Sequence, residues 1–298
     1  MSSFTDARSC AIRRVVVVVL DGLRPDCLDV QRLPHLERLM GDGASTRVAQ
    51  TVRPSVTAAA MGSLLTGVSP RVHGLESDRF HLPRRLGPID PLPRVLAAHG
   101  IPSFGHLRRM PWAFRGIARR IAQTVGFGSV RFAGTSATEI LRGAVDVIAS
   151  MRHGLLLMHW PDADDAGHAH GWMSAPYRLA ALSLDSAMGE LRERLAHADA
   201  DGTLLIALAD HGGGGVVADS HEAVHPLNTT IPIVLCGAGI TAGALPHGCS
   251  LLDVPATVLD AFGVAQPAGW EGMSLLPFAG GRDSAFAARM NALAVSVA

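Results

Sequence analysis

Carboxylates and histidines in this chain gather at a few places, each beside an apolar run. Asp21 follows Val15–Leu20. Pro161-Asp162-Ala163-Asp164-Asp165-Ala166-Gly167-His168 follows Leu155–Trp160, and Asp210-His211-Gly212 follows Leu204–Ala209. His221 and His225 shortly precede Ile231–Cys236. Oxygen and imidazole donors with no thiolate among them suit zinc, manganese or iron, and do not suit a cysteine-built structural zinc site. A single strand-end aspartate is more often a helix cap or a turn residue. The joint recurrence is what points to a metal. A hydroxyl stands in a complementary place. Pro54-Ser55-Val56-Thr57 reads as a loop entering an apolar helix, so Thr57 is either the N-cap or a nucleophile at a helix N-terminus, where anions are favoured. Beside a metal cluster the nucleophile reading is preferred.

The elements that must position these groups follow from the four runs. Each is rich in Val, Ile or Leu and ends at Gly, Pro or Asp, the pattern of strands buried on both faces of a parallel sheet. Helix-like stretches lie between them: Thr57–Leu65, Pro91–His99, Thr138–Ser150, Ala175–Ala196 and Asp253–Phe262. The alternation predicts an α/β layered fold, in which ligands collect at the carboxyl ends of strands. The chemistry-bearing residues stand at those ends.

Composition narrows the chemistry. With 298 residues, 48% hydrophobic and 17% charged, the chain has ample material for a core, which excludes disorder as its main state. A formal net charge of zero argues against a generic nucleic-acid or membrane-surface binder. All 26 basic residues are arginine, which excludes Schiff-base chemistry, a lysine general base and a Walker-type phosphate loop. The four cysteines are dispersed with no C-x-x-C pair, which excludes a zinc ribbon or a thioredoxin motif. No apolar run approaches about 18 residues, and the N-terminal stretch lacks signal-peptide character, so a soluble, cytoplasmic protein is expected. Residues 91–138 hold seven arginines and no Asp or Glu. Their plain reading is a solvated helix face. The sharper one is a cap that sets arginines over a substrate, with Trp112, Phe114 and Phe127 either in the core or offering a stacking surface.

In sequence order, the motifs resemble the type I phosphodiesterase/nucleotide pyrophosphatase branch of the alkaline phosphatase superfamily. The matching pieces are Val-Leu-Asp21-Gly-Leu-Arg-Pro-Asp, Pro-Ser-Val-Thr57 leading to Ser-Leu-Leu-Thr-Gly-Val-Ser-Pro-Arg-Val-His-Gly, and Asp164-Asp-Ala-Gly-His168. Ala-Asp210-His211-Gly, a histidine before Thr-Ile-Pro-Ile-Val-Leu-Cys-Gly, and the closing Gly-Trp-Glu-Gly-Met-Ser-Leu-Leu-Pro continue the match. The resemblance implies a single catalytic domain over 1–298. It would be a three-layer α/β sandwich with a mostly parallel central sheet and a small cap insertion at about 78–135. It implies two divalent cations, zinc first, with manganese or iron as alternatives. One would be held by Asp21, Thr57, Asp210 and His211, the other by Asp164, His168 and His221. His225 competes for the last place and Asp165 for that of Asp164, while His170 would support a neighbouring ligand.

The implied activity is hydrolysis of a small-molecule phosphate ester, a diester before a monoester, through a Thr57 nucleophile and a phosphothreonine. No stable nucleic-acid or membrane partner is expected. A phosphonate or sulfate-ester hydrolase, or a non-catalytic metal-binding member, are the alternatives. Ala59 and Ala60 stand where many relatives carry Pro and Asn, so an expected amide donor to a phosphoryl oxygen is missing at residue 60. The Cys/Ser-x-Pro-x-Arg pattern of sulfatases is also absent.

Overall fold

Five consecutive valines after Arg14 make β1 (Arg14–Leu20), a strand in which every residue is buried. Branching at Cβ stiffens such residues and suits them to a pleated surface packed on both sides. The computed structural model describes residues 12–30, 32–78, 89–132, 134–199 and 201–276. Seven more strands join β1: β2 (Ala44–Gln50), β3 (Ser103–Leu107), β4 (Ser129–Phe132), β5 (Gly154–Trp160), β6 (Thr203–Leu208), β7 (Thr230–Gly237) and β8 (Gly243–Ala244). The sheet order is β4-β3-β5-β1-β6-β7-β2-β8. The central β1, β5 and β6 are buried along their whole length, as the apolar runs require.

Helices cover both faces. They are α1 (Cys27–Val30), α2 (Pro34–Asp42), α3 (Thr57–Thr66), α4 (Pro70–His73), α5 (Leu92–Ala98), α6 (Trp112–Val125), α7 (Ala137–Ser150), α8 (Asp162–His170), α9 (Ala175–Asp199), α10 (Pro226–Thr229) and α11 (Asp253–Ala261). Helix α9 packs on α2, α7 and α8, while α11 packs on α3 and α5. The result is the expected three-layer α/β sandwich. Among the described residues no helix is long and apolar enough to cross a membrane.

Strand direction departs from the expectation at one place. β7 runs antiparallel to β6 and to β2, against the parallel pairings of β1 with β5 and β6. The reversal has a positional effect. The start of β7 lies at the same edge as the carboxyl ends of β1, β5 and β6, so residues that precede β7 reach the edge where ligands collect.

Of the expected cap at about 78–135, residues 79–88 and 133 lie outside the described residues. The remainder supplies α5, β3, α6 and β4. No residue of α6 is buried, and Trp112 and Phe114 are exposed, whereas Phe127 joins the core. Helix α6 thus exposes apolar side chains, Ile117 and Ile121 among them, as well as arginines. Arg108 reaches farther and pairs with Asp165 of α8 at 2.5 Å.

Candidate active site

Sheet register brings the first two acids together. Val19 pairs with Leu208, so two residues further on Asp21 leaves β1 beside Asp210 leaving β6. Gly22 then turns with a positive φ of 67° and donates its N–H to Asp210 Oδ1 at 3.2 Å. A side chain at Gly22 would meet Asp164 at 3.0 Å, so this glycine lets β1 turn against α8. Asp164 is tied in by its own N–H, which donates to the Asp21 carbonyl at 3.0 Å. The Gly22 carbonyl is clamped by Trp172 Nε1 and the Tyr177 hydroxyl, each at 2.9 Å.

The histidines are held by their far nitrogens. Nδ1 of His211 donates to the Gly212 carbonyl at 2.8 Å, Nδ1 of His168 to the Asp219 carbonyl at 2.8 Å, and Nδ1 of His221 to the Ser55 carbonyl at 2.7 Å. A carbonyl only accepts, so Nδ1 carries the proton of that bond in each ring and Nε2 is the nitrogen turned to the centre, the orientation a metal ligand needs. His211 Nε2 lies 3.3 Å from Asp21 Oδ1 and 3.7 Å from Asp210 Oδ2. His168 Nε2 and His221 Nε2 lie 3.5 Å and 3.7 Å from Asp164 Oδ1. They stand 3.1 Å from each other, where two lone pairs repel unless a proton or cation lies between.

The electrostatics carry the same message. Burial, then the neighbouring Asp210 and Asp164, push the Asp21 carboxyl well above the usual range. Burial raises Asp164 as well. For Asp210 burial opposes the charge, but His211, His159 and the Gly22 N–H outweigh it and hold this carboxyl below the usual range. Burial and the adjacent His211 push His221 down to about 3, so its ring is neutral at physiological pH. Asp21 Oδ1, Asp164 Oδ1, Asp210 Oδ2 and His159 Nε2 are buried with no hydrogen-bond partner. Buried acceptors are rarely left so. Two sets have donor atoms close enough to share an ion: Asp21, Asp210 and His211, and Asp164, His211 and His221. Hard oxygens and imidazole nitrogens at unsatisfied, buried positions fit a divalent cation.

Thr57 stands at the rim of this cluster, its Oγ1 3.1 Å from His211 Nε2. It is not a helix cap. Val56 holds the N-cap position of α3 with extended backbone and no side-chain cap bond, so the Thr57 hydroxyl is free for other work. All seven residues singled out from the sequence, Asp21, Thr57, Asp164, His168, Asp210, His211 and His221, meet here.

The competitors do not. The His225 ring accepts from Leu227 N–H at 3.1 Å and caps α10, and Asp165 pairs with Arg108. His159 was missed. It lies on β5 with Nε2 3.3 Å from Asp21 Oδ2. Its signal was a lone imidazole one residue before the end of an otherwise apolar run.

Ala60 is fully buried in α3 among the apolar core residues, and that position offers no side-chain donor. The polar group that meets the start of α3 is instead Asp78, whose Oδ1 accepts from Ala58 N–H at 2.8 Å.

The sequence matches the model of the type I phosphodiesterase / nucleotide pyrophosphatase family over residues 15–87 and 112–239. Among curated proteins it is similar to the 2,3-bisphosphoglycerate-independent phosphoglycerate mutase of Vibrio vulnificus, at 30% identity over 142 residues, which cover 47% of this chain and 27% of that enzyme. The corresponding mutase of Syntrophotalea carbinolica is 33% identical over 144 residues, again 47% and 27%. The match thus spans about a quarter of the length of these relatives.

Among solved structures the fold is similar to that of an inactive Thr-to-Ala variant of murine ectonucleotide pyrophosphatase / phosphodiesterase 5 in complex with AMP. The TM-score is 0.69 at 14% identity, covering 87% of this chain and 97% of that one. The phosphonate monoester hydrolase SpPMH from Silicibacter pomeroyi gives 0.66 at 17% identity, covering 92% and 77%. The 2-O GAG sulfatase BT1596 gives 0.69 at 14% identity, covering 92% and 75%. At these identities the likeness is one of fold.

Proposed function

Because the chain belongs to the type I phosphodiesterase / nucleotide pyrophosphatase family, we propose that it hydrolyses small phosphate esters, diesters before monoesters, with Thr57 as nucleophile and two divalent cations, zinc first. The observation that carries this reading is the uncapped Thr57 hydroxyl at the head of α3, 3.1 Å from His211 and at the rim of a buried acid–histidine cluster. The murine relative whose Thr-to-Ala variant is inactive supports a threonine in this role.

Asp21, Asp210, His211 and Thr57 would hold one cation, and Asp164, His168 and His221 the other. When bound, such ions neutralise charge that develops on the phosphoryl oxygens and favour the alkoxide form of the threonine. The rest is the chain's own work. Thr57 Oγ1 forms a bond to phosphorus while the bond to the leaving oxygen breaks, and the threonine's proton departs with the leaving alcohol. Water then cleaves the phosphothreonine and restores the hydroxyl. Helix α3 points its N-terminus at the phosphoryl group, which favours negative charge there. The Nδ1 bonds to backbone carbonyls keep the three histidine rings from turning away.

The test is turnover of bis(p-nitrophenyl) phosphate with added zinc or manganese, with metal content measured on the same samples. Thr57→Ala should lose turnover by about 10⁴-fold or more, the scale seen when a nucleophile is deleted, while it keeps most of its metal and its melting temperature. Thr57→Ser should retain part of the activity. A Thr57→Ala protein that is fully active ends the nucleophile assignment, and a wild-type protein that binds metal without turning over any ester makes the chain a binder.

A further inference from the structure

The first turn of α3 offers backbone N–H groups toward the nucleophile, and one of them is already taken. Asp78 Oδ1 accepts from Ala58 N–H at 2.8 Å, one peptide from Thr57. The first N–H groups of a helix have no partner inside the helix and attract anions. Here an acid from the chain itself supplies the anion, at the place a phosphoryl oxygen would otherwise use. Asp78 is exposed and its Oδ1 sits one peptide from Thr57, so its charge lies beside whatever binds at the head of α3.

We propose that Asp78 is a specificity-determining residue that biases this site toward singly charged esters and against doubly charged ones. This rests on the reading of the cluster and Thr57 as an esterase site. A phosphodiester carries one negative charge. A phosphomonoester above its second pKa of about 6 carries two. A fixed carboxylate repels the second more strongly, and discrimination by repulsion needs no added contact with the favoured substrate. The same carboxylate competes with either ester for the Ala58 N–H. The site therefore works best with substrates whose phosphoryl charge is already partly masked by a second ester bond.

The experiment compares wild type, Asp78→Asn and Asp78→Glu, loaded with zinc or manganese, above the second phosphate pKa. Asn keeps the side-chain oxygen that accepts from Ala58 N–H and removes only the charge. Glu keeps the charge. One readout is the ratio of kcat/KM for bis(p-nitrophenyl) phosphate to that for p-nitrophenyl phosphate. The other is calorimetric affinity for dimethyl phosphate, a monoanion, against methyl phosphate, a dianion above that pKa. Asp78→Asn should favour the doubly charged partner at least tenfold in both readouts, which corresponds to about 1.4 kcal/mol, and Asp78→Glu should stay near wild type. Ester turnover with both preferences unchanged in Asp78→Asn overturns the role of Asp78 and leaves the esterase reading standing. A shifted affinity without turnover of either ester keeps the role of Asp78 and sinks the esterase reading. No affinity for either anion in any of the proteins overturns both.

Discussion

Removing charge from the cluster should stabilise the metal-free protein and blind it to metal. The reasoning starts from three buried carboxylate oxygens without partners, Asp21 Oδ1, Asp164 Oδ1 and Asp210 Oδ2. A buried polar atom left unsatisfied costs about 1–3 kcal/mol, so the set costs about 3–9 kcal/mol in a stripped protein. A cation at a thousand times its Kd returns about 4.1 kcal/mol by mass action, which lies within that range. At about 2.1 cal/mol/K of unfolding entropy per residue, a chain of 298 residues shifts its Tm by about 1.6 °C per kcal/mol, so saturating zinc or manganese should raise Tm by about 6–7 °C over the chelator-treated protein.

Asp21→Asn is the informative perturbation. Burial and the neighbouring Asp210 and Asp164 push this carboxyl up, so its charge is the one the fold disfavours. The Asp21 N–H to the Trp160 carbonyl and the Asp164 N–H to the Asp21 carbonyl are backbone bonds that the substitution leaves in place. Relief of about 1–2 kcal/mol should raise the Tm of the stripped variant by about 2–3 °C and abolish most of the metal-induced rise. Thermal unfolding of four samples, wild type and Asp21→Asn each with and without cation, decides it. A wild type whose Tm ignores cations, or a stripped Asp21→Asn protein less stable than stripped wild type, refutes the reasoning.

Two further outcomes follow from the structure. His221→Ala should lower bound metal per chain, because the ring reaches Asp164 and His168, whereas His225→Ala should cost about 1 kcal/mol of capping energy and keep the metal; metal analysis of both variants checks this, and the reverse pattern contradicts it. His73 is buried, donates from Nε2 to Ser63 Oγ at 2.9 Å and accepts from Leu75 N–H at 3.1 Å, and burial pushes its pKa down to about 4 from 6.5. The unfolded chain therefore takes up the proton first, so this stability is complete above about pH 6.5 and falls as pH drops toward 4, by about 3 kcal/mol in all. Denaturant titrations across that window should show a shallower slope for His73→Asn; identical slopes would count against it.

How much was legible in the sequence varies with the physics behind each feature. Strands buried on both faces announce themselves as continuous apolar runs, which is why β1, β5, β6 and β7 were readable. Ala44–Gln50 was not, because it is partly exposed and carries polar residues of no clear period, and Ser129–Phe132 was not, because its polar–apolar alternation lasts only four residues. The direction of β7 was hidden, since Thr-Ile-Pro-Ile-Val-Leu-Cys-Gly has the same composition whichever way it pairs. The site residues were legible because aspartate and histidine at strand ends are chemically conspicuous. His159 was not, because it is embedded inside an apolar run and its role depends on the pairing of Val19 with His159, which carries it toward Asp21.

The placement of β1 has a consequence for how the protein comes into being. Arg14 pairs with Gly154 on one side and with Thr203 on the other, so β1 is completed only by strands that come much later in the chain. Asp21 and Thr57 emerge early, yet their partners Asp210, His211 and His221 exist only once most of the chain is present. An incomplete chain therefore displays isolated acids of low affinity rather than a competent ion trap. Capture of a cation at the proposed site would then come late and report a finished sheet, since it waits for long-range pairing of the kind that slows folding.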